Sequence, residues 1–443
     1  MSSTASTARG APIPGGHSAD HVEEVYSKVA WRLMPLLVIC YIIAFLDRIN
    51  IGYAQLQMKQ TLPFSDAVYG LGAGIFFIGY FLFEVPSNLM LVKIGARKTL
   101  LRIMFCWGIV AAGMMFVQTP TQFYVMRFLL GAFEAGFFPG VILYLTFWYP
   151  GSRRGQMIAI FMTATTLASI IAGPLCGGIM KWMDGVNGWH GWQWLFLTQG
   201  IPASILGIVA YLYLQDKPED AQWLDAREKL VLRDHLEHDK GLIAGAGHGS
   251  MWQMLKDPKV YTLALVYFLL LGATYTMVFW LPTLIKSWGI KDLFMIGIYA
   301  AIPSVFGVAA MVFIGRSSDQ REERRWHFFS CVALAAVGLA ITIFTQGNFI
   351  GSMIGLCIAT VGIASATPLF FTAISEYLPM ATAAAGIALI SSLGNLGAAV
   401  SPSITGAITA ATGNPANGMY LVIAWYVVAG AIMLGVLKPA KSG

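Results

Sequence analysis

Long apolar stretches separated by short polar segments recur along most of the chain. A membrane-spanning helix needs about 20 mainly apolar residues, and twelve stretches reach roughly that length. The pattern therefore predicts an all-α integral membrane protein with twelve transmembrane helices, near residues 31–56, 70–92, 98–117, 121–147, 154–180, 192–214, 260–286, 292–315, 326–345, 347–377, 381–411 and 418–437.

The longest polar interruption falls between the sixth and seventh spans. It contains the charged run PEDAQWLDAREKLVLRDHLEHDK, in which apolar residues such as Trp223 and Leu230 recur. This pattern predicts a cytoplasmic linker with an amphipathic helix along the membrane surface. The predicted organisation is a disordered cytoplasmic tail at 1–29, a six-helix bundle at 30–214, the linker at 215–258 and a second six-helix bundle at 259–438.

Composition agrees with this pattern. The chain is 57% hydrophobic and 11% charged, whereas soluble domains carry about 25% charged residues. The N-terminal segment lacks the basic region and apolar core of a signal peptide. The five cysteines lie at unrelated spacings in apolar stretches, so they predict neither a disulfide framework nor a metal site.

Lysine and arginine positions predict the orientation. If the first span starts in the cytoplasm, the outer loops hold only Lys59, Lys181, Lys286 and Lys291 out of 28 basic residues. By the positive-inside rule, both termini are then cytoplasmic in a multi-pass cell (inner) membrane protein. This asymmetry explains the net charge of +6 without a nucleic-acid partner. We expect a monomer.

Five charged residues fall inside spans, all in the first half: Asp47, Arg48, Glu84, Arg127 and Glu134. A charge at the centre of the bilayer costs about 2.5–3.5 kcal/mol on insertion scales, so such residues usually face a cavity and serve function. In the second half no acidic or basic residue lies mid-span. These positions therefore mark the first half as the place where ions are handled.

Helix geometry limits how these charges pair. Asp47 and Arg48 diverge by about 100°, and Arg127 and Glu134 share a face about 10 Å apart. Partners must therefore come from other helices or from a ligand. We expect the arginines and acids to line one cavity.

In such a cavity two arginines suit a carboxylate ligand, and Asp47 and Glu134 are natural proton carriers. A substrate that occupies an arginine would promote protonation of the neighbouring acid. The alternative is that these residues form structural ion pairs. Glu84, close to Pro86, fits a helix-kink role as well as a transport role.

Several motifs together resemble the major facilitator superfamily, in particular its anion:cation symporter branch, which includes bacterial tartrate, phthalate and 4-hydroxyphenylacetate permeases. The resemblance covers residues 25–437. It rests on FLDRINIGYA (45–54), FEVPSNLMLVKIGARK (83–98), RFLLGAFEAGFFPGVILYLTFWYP (127–150), GWQWLFLTQGIPA (191–203), GRSSDQREERRWH (315–327) and AAAGIALISSLGNLGAAVSP (383–402). It implies two six-helix bundles around a central cavity and alternating access.

The resemblance also implies roles for residues. It assigns proton coupling to Asp47 and Glu134, and substrate binding to four residues: Arg48, Arg127, Tyr80 and Asn395. This chain departs from the family pattern at Gln199, where relatives often have Glu, and at Thr165, where sugar-acid carriers tend to have an amide. The second departure argues against polyhydroxylated substrates.

Two loops resemble the cytoplasmic signature of the superfamily. The first keeps Gly95, Arg97 and Lys98 but has Val92 where Asp is common. The second keeps Gly315, Asp319, Arg324 and Arg325. These residues are candidates for a conformational latch, and the alternative is simple positive-inside anchoring.

The second half can contact a substrate only through neutral groups. The candidates are Tyr275, Trp280, Phe371, Ser391 and Asn395, of which the last two share a helix face. Aromatic residues opposite an arginine pair suit an aromatic or compact carboxylate. Simple packing is the alternative for each ring.

The predicted function is proton-coupled uptake of a small organic carboxylate, phthalate-like or tartrate-like, driven by a proton gradient with no cofactor. Exchange or efflux of anions without net proton coupling is the alternative, followed by a non-transporting membrane sensor. An enzyme is disfavoured because the sequence has no H-E-x-x-H, no nucleotide-binding glycine loop and no histidine within a span.

Overall fold

The computed structural model describes residues 18–245, 256–378 and 383–436, which are almost entirely helical. Twelve helical segments are long and apolar enough to cross a membrane, which confirms the predicted class. In the first half, span 1 comprises Ala19–Ile49 and Ile51–Thr61, span 2 Asp66–Ile94, span 3 Ala96–Gly113, span 4 Pro120–Glu134 and Phe137–Thr146, span 5 Gly151–Trp182 and span 6 Gly191–Tyr213. In the second half, span 7 is Pro258–Ser287, span 8 Leu293–Gln320, span 9 Arg325–Phe344, span 10 Phe349–Tyr377, span 11 Ala383–Thr412 and span 12 Pro415–Val436.

The first helix begins earlier than the sequence predicts. Residues 19–29, expected to be part of a disordered tail, are helical, and that part of the prediction is wrong. Val22 and Val25 are buried there, and Lys28 forms an ion pair of 2.7 Å with Glu228 of the linker helix, Ala226–Gly245. Packing against the linker orders this segment. Residues 1–17 and 246–255 lie outside the described chain.

Two spans of the first half are interrupted next to their charged residues. Span 4 breaks after Glu134, where Gly136 has φ +87°, a left-handed conformation that glycine adopts at little cost. Span 1 divides into two helices at Asn50, two residues after Arg48, but the Asn50 backbone keeps right-handed helical angles, with φ −58° and ψ −29°. Of the two, the break in span 4 is therefore the one that departs from helical geometry, and it lies beside Glu134.

The two halves meet closely at one end, which we call the far face because it lies opposite the linker. A Cβ atom on Gly70 of span 2 would lie 2.9 Å from Cα of Gly406 in span 11. One on Gly173 of span 5 would lie 2.1 Å from the carbonyl oxygen of Gly297 in span 8. Small residues permit such backbone contact between membrane helices. The far ends of these spans therefore close against each other.

Polar contacts reinforce this closure. Gln55 Nε2 and Tyr69 Oη each donate to the carbonyl oxygen of Phe279 in span 7, both at 3.1 Å. Pro282 lies three residues after Phe279 and removes the helical donor of the adjacent carbonyl, that of Val278. An ion pair between Lys181 and Asp292 also joins the two halves. Spans 1, 2 and 5 are thereby bound to spans 7 and 8.

Candidate substrate and proton site

Arg48 is the centre of the charged site. Its Nε donates to Glu134 Oε1 at 3.1 Å, and Nη2 makes a second bond to the same oxygen. Its Nη1 donates to the hydroxyl of Tyr275 in the second half at 3.0 Å. One guanidinium therefore connects spans 1, 4 and 7, as expected if its partners come from other helices.

Aromatic rings surround this ion pair. The guanidinium carbon of Arg48 lies 5.4 Å from the ring centre of Tyr80 and 5.7 Å from that of Phe76. Glu134 is fully buried, and its second oxygen, Oε2, has no hydrogen-bond partner among the described residues. The site thus holds a buried carboxylate with one oxygen engaged and the other unsatisfied.

Arg127 also packs against Phe76, with its guanidinium carbon 4.9 Å from the ring centre. Its Nε donates to the carbonyl oxygen of Gly72 at 3.2 Å. Both Nη atoms are buried and have no partner within the described chain. A buried guanidinium with two free donor nitrogens is suited to a carboxylate ligand.

Asp47 does not share this environment, which corrects the prediction of one common cavity. Its Oδ2 accepts a hydrogen bond of 2.7 Å from Trp107 Nε1, and its Oδ1 accepts one of 3.4 Å from Asn50 Nδ2. Asn50 also donates to Gln199 Oε1 at 2.8 Å. The divergence of neighbouring residues on a helix directs Asp47 toward spans 3 and 6, away from the partners of Arg48.

The three aromatic candidates of the second half lie in different places. Tyr275 contacts Arg48 and packs against Phe77, with ring centres 4.6 Å apart. Trp280 is fully buried against Tyr69, 4.7 Å away, in the far-face closure. Phe371 packs edge-on against Tyr267. Only Tyr275 therefore touches the charged pair directly.

The polar candidates outside the charged pair make few contacts. The Thr165 hydroxyl donates to the carbonyl of Met162 in its own helix. Ser391 and Asn395 are partly exposed, and neither side chain bonds to another described residue. Glu84 is half-buried, and its Oε2 has no partner in the described chain. Their roles stay predictions.

The candidate latch residues contact their own halves. The Arg97 backbone N–H donates to Asp216 Oδ1 at 2.9 Å, and its side chain donates to the carbonyl of Tyr211. In the second loop, Arg324 pairs with Asp319 at 2.6 Å and with Glu376 at 3.0 Å. Gly95 and Lys98 flank the first cluster. Gly315 lies near the second, where Arg325 bonds to the carbonyl of Leu434.

Three residues of the site were not anticipated from the sequence. Phe76 contacts both arginines, and Trp107 and Asn50 hydrogen-bond to Asp47. Asn50 carries a signal, since an amide in mid-span is costly without partners. Phe76 and Trp107 resemble ordinary packing residues. In the described chain, no three His, Cys, Asp or Glu side chains cluster as a metal site.

Comparison with known proteins places this arrangement in a family. Residues 37–402 match the profile of the Major Facilitator Superfamily. A protein of Agrobacterium vitis named "Putative tartrate transporter" is 45% identical over 96% of this chain and 97% of its own. The Pseudomonas putida protein named "Putative metabolite transport protein NicT" is 43% identical over 95% and 96%. A "Quinolone resistance transporter" of Acinetobacter baumannii is 41% identical over 91% and 92%.

Solved structures show the same fold. The inward-open xylose transporter XylE of Escherichia coli aligns with a TM-score of 0.73 over 94% of this chain and 97% of its own, at 13% identity. A bacterial homologue of the lysosomal transporter Spinster, inward-facing and occupied, aligns with a TM-score of 0.71 over 93% and 94%, at 16% identity. At these identities the likeness concerns the fold alone.

Proposed function

The chain belongs to the Major Facilitator Superfamily, and from this premise we propose that it takes up a small organic carboxylate together with protons. As a family member with twelve spans it is a multi-pass membrane transporter and not an enzyme. Family membership does not identify the substrate or the coupling ion, and both are proposed from the charged site.

The observation that carries the proposal is the ion pair between Arg48 and Glu134. Both partners lie at the meeting point of the halves, and Tyr275 of the second half bonds to the same guanidinium. A guanidinium binds a ligand carboxylate as readily as a protein carboxylate. An incoming anion therefore competes with Glu134 for Arg48.

Competition provides the coupling. When the substrate carboxylate occupies Arg48, Glu134 remains buried without its counter-charge, which is unfavourable for an ionised acid. Binding a proton removes that charge. Substrate and proton are then carried together, and release of the substrate returns Arg48 to Glu134. Asp47, in its separate pocket, is proposed as a second proton carrier.

The conformation supports alternating access with the far face closed. Contacts between the halves at the glycine pairs and at Phe279 close that face, while both charged loop clusters at the linker face remain within their own halves. We assign the linker face and both termini to the cytoplasm of the inner membrane by the positive-inside rule. The protein is then inward-facing here. We expect it to act as a monomer.

The substrate proposed is a compact mono- or dicarboxylate, tartrate-like or phthalate-like. Arg48 and Arg127 offer two cationic groups, 5.7 Å and 4.9 Å from the ring centre of Phe76. Two carboxylates of one molecule, or a carboxylate and an aromatic ring, match this arrangement. The relative named as a tartrate transporter supports the hydroxy-dicarboxylate choice.

Exchange or efflux is the second candidate. The relative named as a quinolone resistance transporter favours an outward direction of transport. An exchanger needs the arginines but no proton carrier. The two candidates therefore differ in what Glu134 does.

Purified protein in liposomes distinguishes them. We expect an inward-directed proton gradient to drive accumulation of radiolabelled tartrate or phthalate by the native chain. Glu134→Gln is expected to abolish accumulation while preserving counterflow, in which loaded substrate exchanges for labelled substrate without net proton movement. The neutral amide mimics the protonated acid and leaves Arg48 free for the anion.

Glu376→Gln is the matched control, because Glu376 also pairs with an arginine, Arg324, but at the linker face. It should accumulate substrate like the native protein. Strong counterflow with no gradient-driven accumulation in the native chain would establish exchange instead. Continued accumulation by Glu134→Gln would exclude Glu134 as the coupling residue.

A further inference from the structure

The pocket of Asp47 is built from three spans. Trp107 of span 3 donates to Oδ2 at 2.7 Å, and Asn50 of span 1 donates to Oδ1 at 3.4 Å and to Gln199 of span 6 at 2.8 Å. Trp107, Asp47 and Asn50 are all buried. The shorter bond to the acid comes from the indole.

Close helix packing fixes the position of Trp107. The next residue, Gly108, faces span 6 so closely that a Cβ atom would lie 2.6 Å from the carbonyl oxygen of Gly200. The ring of Trp107 also meets Phe137 edge-on, with ring centres 5.7 Å apart. Phe137 begins the second part of span 4, just after the break that follows Glu134. The indole thus lies between Asp47 and the irregular turn of span 4.

We propose that Trp107 is a positioning residue for Asp47, whose indole N–H holds the carboxyl group in this pocket and sets the pH at which it takes up its proton. This inference rests on the proposed role of Asp47 in proton coupling. An indole N–H can only donate a hydrogen bond. Either oxygen of an ionised carboxylate can accept it, whereas a protonated carboxyl group accepts it best at the oxygen that carries no proton. Loss of this donor removes an interaction that favours the charged acid.

Two other titratable groups lie near Asp47 but do not hydrogen-bond to it. Glu134 of span 4 and Cys176 of span 5 interact electrostatically with it. Cys176 accepts a hydrogen bond from Gln199 Nε2 at 3.4 Å. Neither group bonds to Asp47. Among the described residues, Trp107 and Asn50 are the side chains that hydrogen-bond to the acid, and the indole makes the shorter of the two bonds.

Infrared difference spectroscopy tests this inference without relying on transport. Subtracting spectra of Asp47→Asn from those of the native protein isolates the carboxyl band of Asp47, whose intensity is followed against pH. In Trp107→Phe we expect the midpoint to move upward by about one pH unit, the size expected for losing a hydrogen bond to a charged group. The pH profile of proton-driven uptake should move with it.

Trp148→Phe is the matched control, since Trp148 is equally buried but stacks on Trp223 and makes no hydrogen bond to Asp47. Its midpoint should stay at the native value. An unmoved midpoint in folded Trp107→Phe would overturn the assignment. If that variant fails to fold, NMR of the native protein with nitrogen-15 indoles decides: one indole signal should titrate with Asp47 and stop titrating in Asp47→Asn.

Failure of the two proposals gives different results. Absence of proton-driven uptake in the native protein would defeat proton coupling but would leave the infrared and NMR titrations interpretable. No titrating indole signal in a protein that still couples protons would defeat the role of Trp107 alone.

Discussion

The two six-helix halves bury different kinds of polar side chain. In the first half Asp47, Arg127 and Glu134 are almost fully enclosed, and Arg48 is 11% exposed. The polar side chains buried in the described part of the second half are all hydroxyls: Thr276, Ser318, Thr342, Ser352, Ser365, Ser401, Thr405 and Thr409. Many of the second-half hydroxyls bond within that half, as Ser365 does to the carbonyl of Val361.

This difference suggests that the two halves have different roles. The first half contains the buried charged side chains, and the second half provides a neutral surface that can move against them. Among the described contacts to the charged pair, only the Tyr275 hydroxyl crosses between the halves. A rocking motion therefore has to break one hydrogen bond to Arg48 and no ion pair of the central site.

Arg48→Ala should abolish substrate binding, a loss of at least about 100-fold, since it removes the anion-binding fork and leaves Glu134 without a partner. Equilibrium binding of labelled substrate to purified protein measures this. Arg324→Ala, which breaks the ion pairs of Arg324 with Asp319 and Glu376, should still bind substrate, because a latch residue affects the balance of conformations and not the anion-binding groups. Equal losses in both variants would contradict the division between the halves.

Adding Glu134→Gln to Arg48→Ala separates stability from binding. Breaking a buried ion pair costs about 3–5 kcal/mol, mainly because one charge is left unpaired. The double variant should therefore be more thermostable than Arg48→Ala while still failing to bind. Recovery of binding in the double variant would show that Arg48 acts only as the counter-ion of Glu134.

Arg127→Lys should weaken substrate affinity by about tenfold, although the charge is retained. A lysine has no planar fork and cannot keep the Nε bond to Gly72 while presenting two donors to an anion. The same binding measurement applies. Unchanged affinity would remove Arg127 from the substrate site and leave it a structural role between spans 2 and 4.

Tyr275→Phe tests the neutral contribution of the second half. Loss of its hydroxyl removes one acceptor from Arg48 and should weaken substrate affinity by about three- to fivefold, less than either arginine variant. Tyr267→Phe is the matched control, two turns earlier in span 7, where the ring packs on Phe371. A larger loss of affinity in Tyr267→Phe than in Tyr275→Phe would mean that the substrate contacts span 7 nearer the linker face.

The sequence was sufficient to predict the twelve spans and the charged first half because both depend on local hydrophobicity and on the cost of intramembrane charge. It also predicted that Asp47 and Arg48 diverge. It could not specify what each residue meets, since that depends on how neighbouring helices rotate. Trp107 is 60 positions from Asp47, and Tyr275 is 227 from Arg48.

The smallest expected effect concerns the far face, where an exposed ion pair joins the two halves. Lys181 and Asp292 pair across the closure, and Asp292 also accepts from the backbone N–H of Met295 at 3.1 Å. The hydrogen bond from Lys181, followed by that from Met295, lowers the pKa of the Asp292 carboxyl below its ordinary value. Its ionised form therefore favours closure. This contribution is complete above the ordinary pKa of about 4, and it is lost as the pH falls through the lowered pKa.

At neutral pH, Lys181→Met should shift the population toward the open far face by about two- to fivefold, the range expected for an exposed ion pair. Asp292→Asn should give a similar shift, because asparagine can still accept from Met295. Spin labels at Val186 and Gln346, in far-face loops of opposite halves, report the distance between them. High salt should weaken the native pair and reduce the difference between native protein and variants. A shift much larger than fivefold would mean that surface charge, rather than backbone contact at the glycine pairs, determines closure.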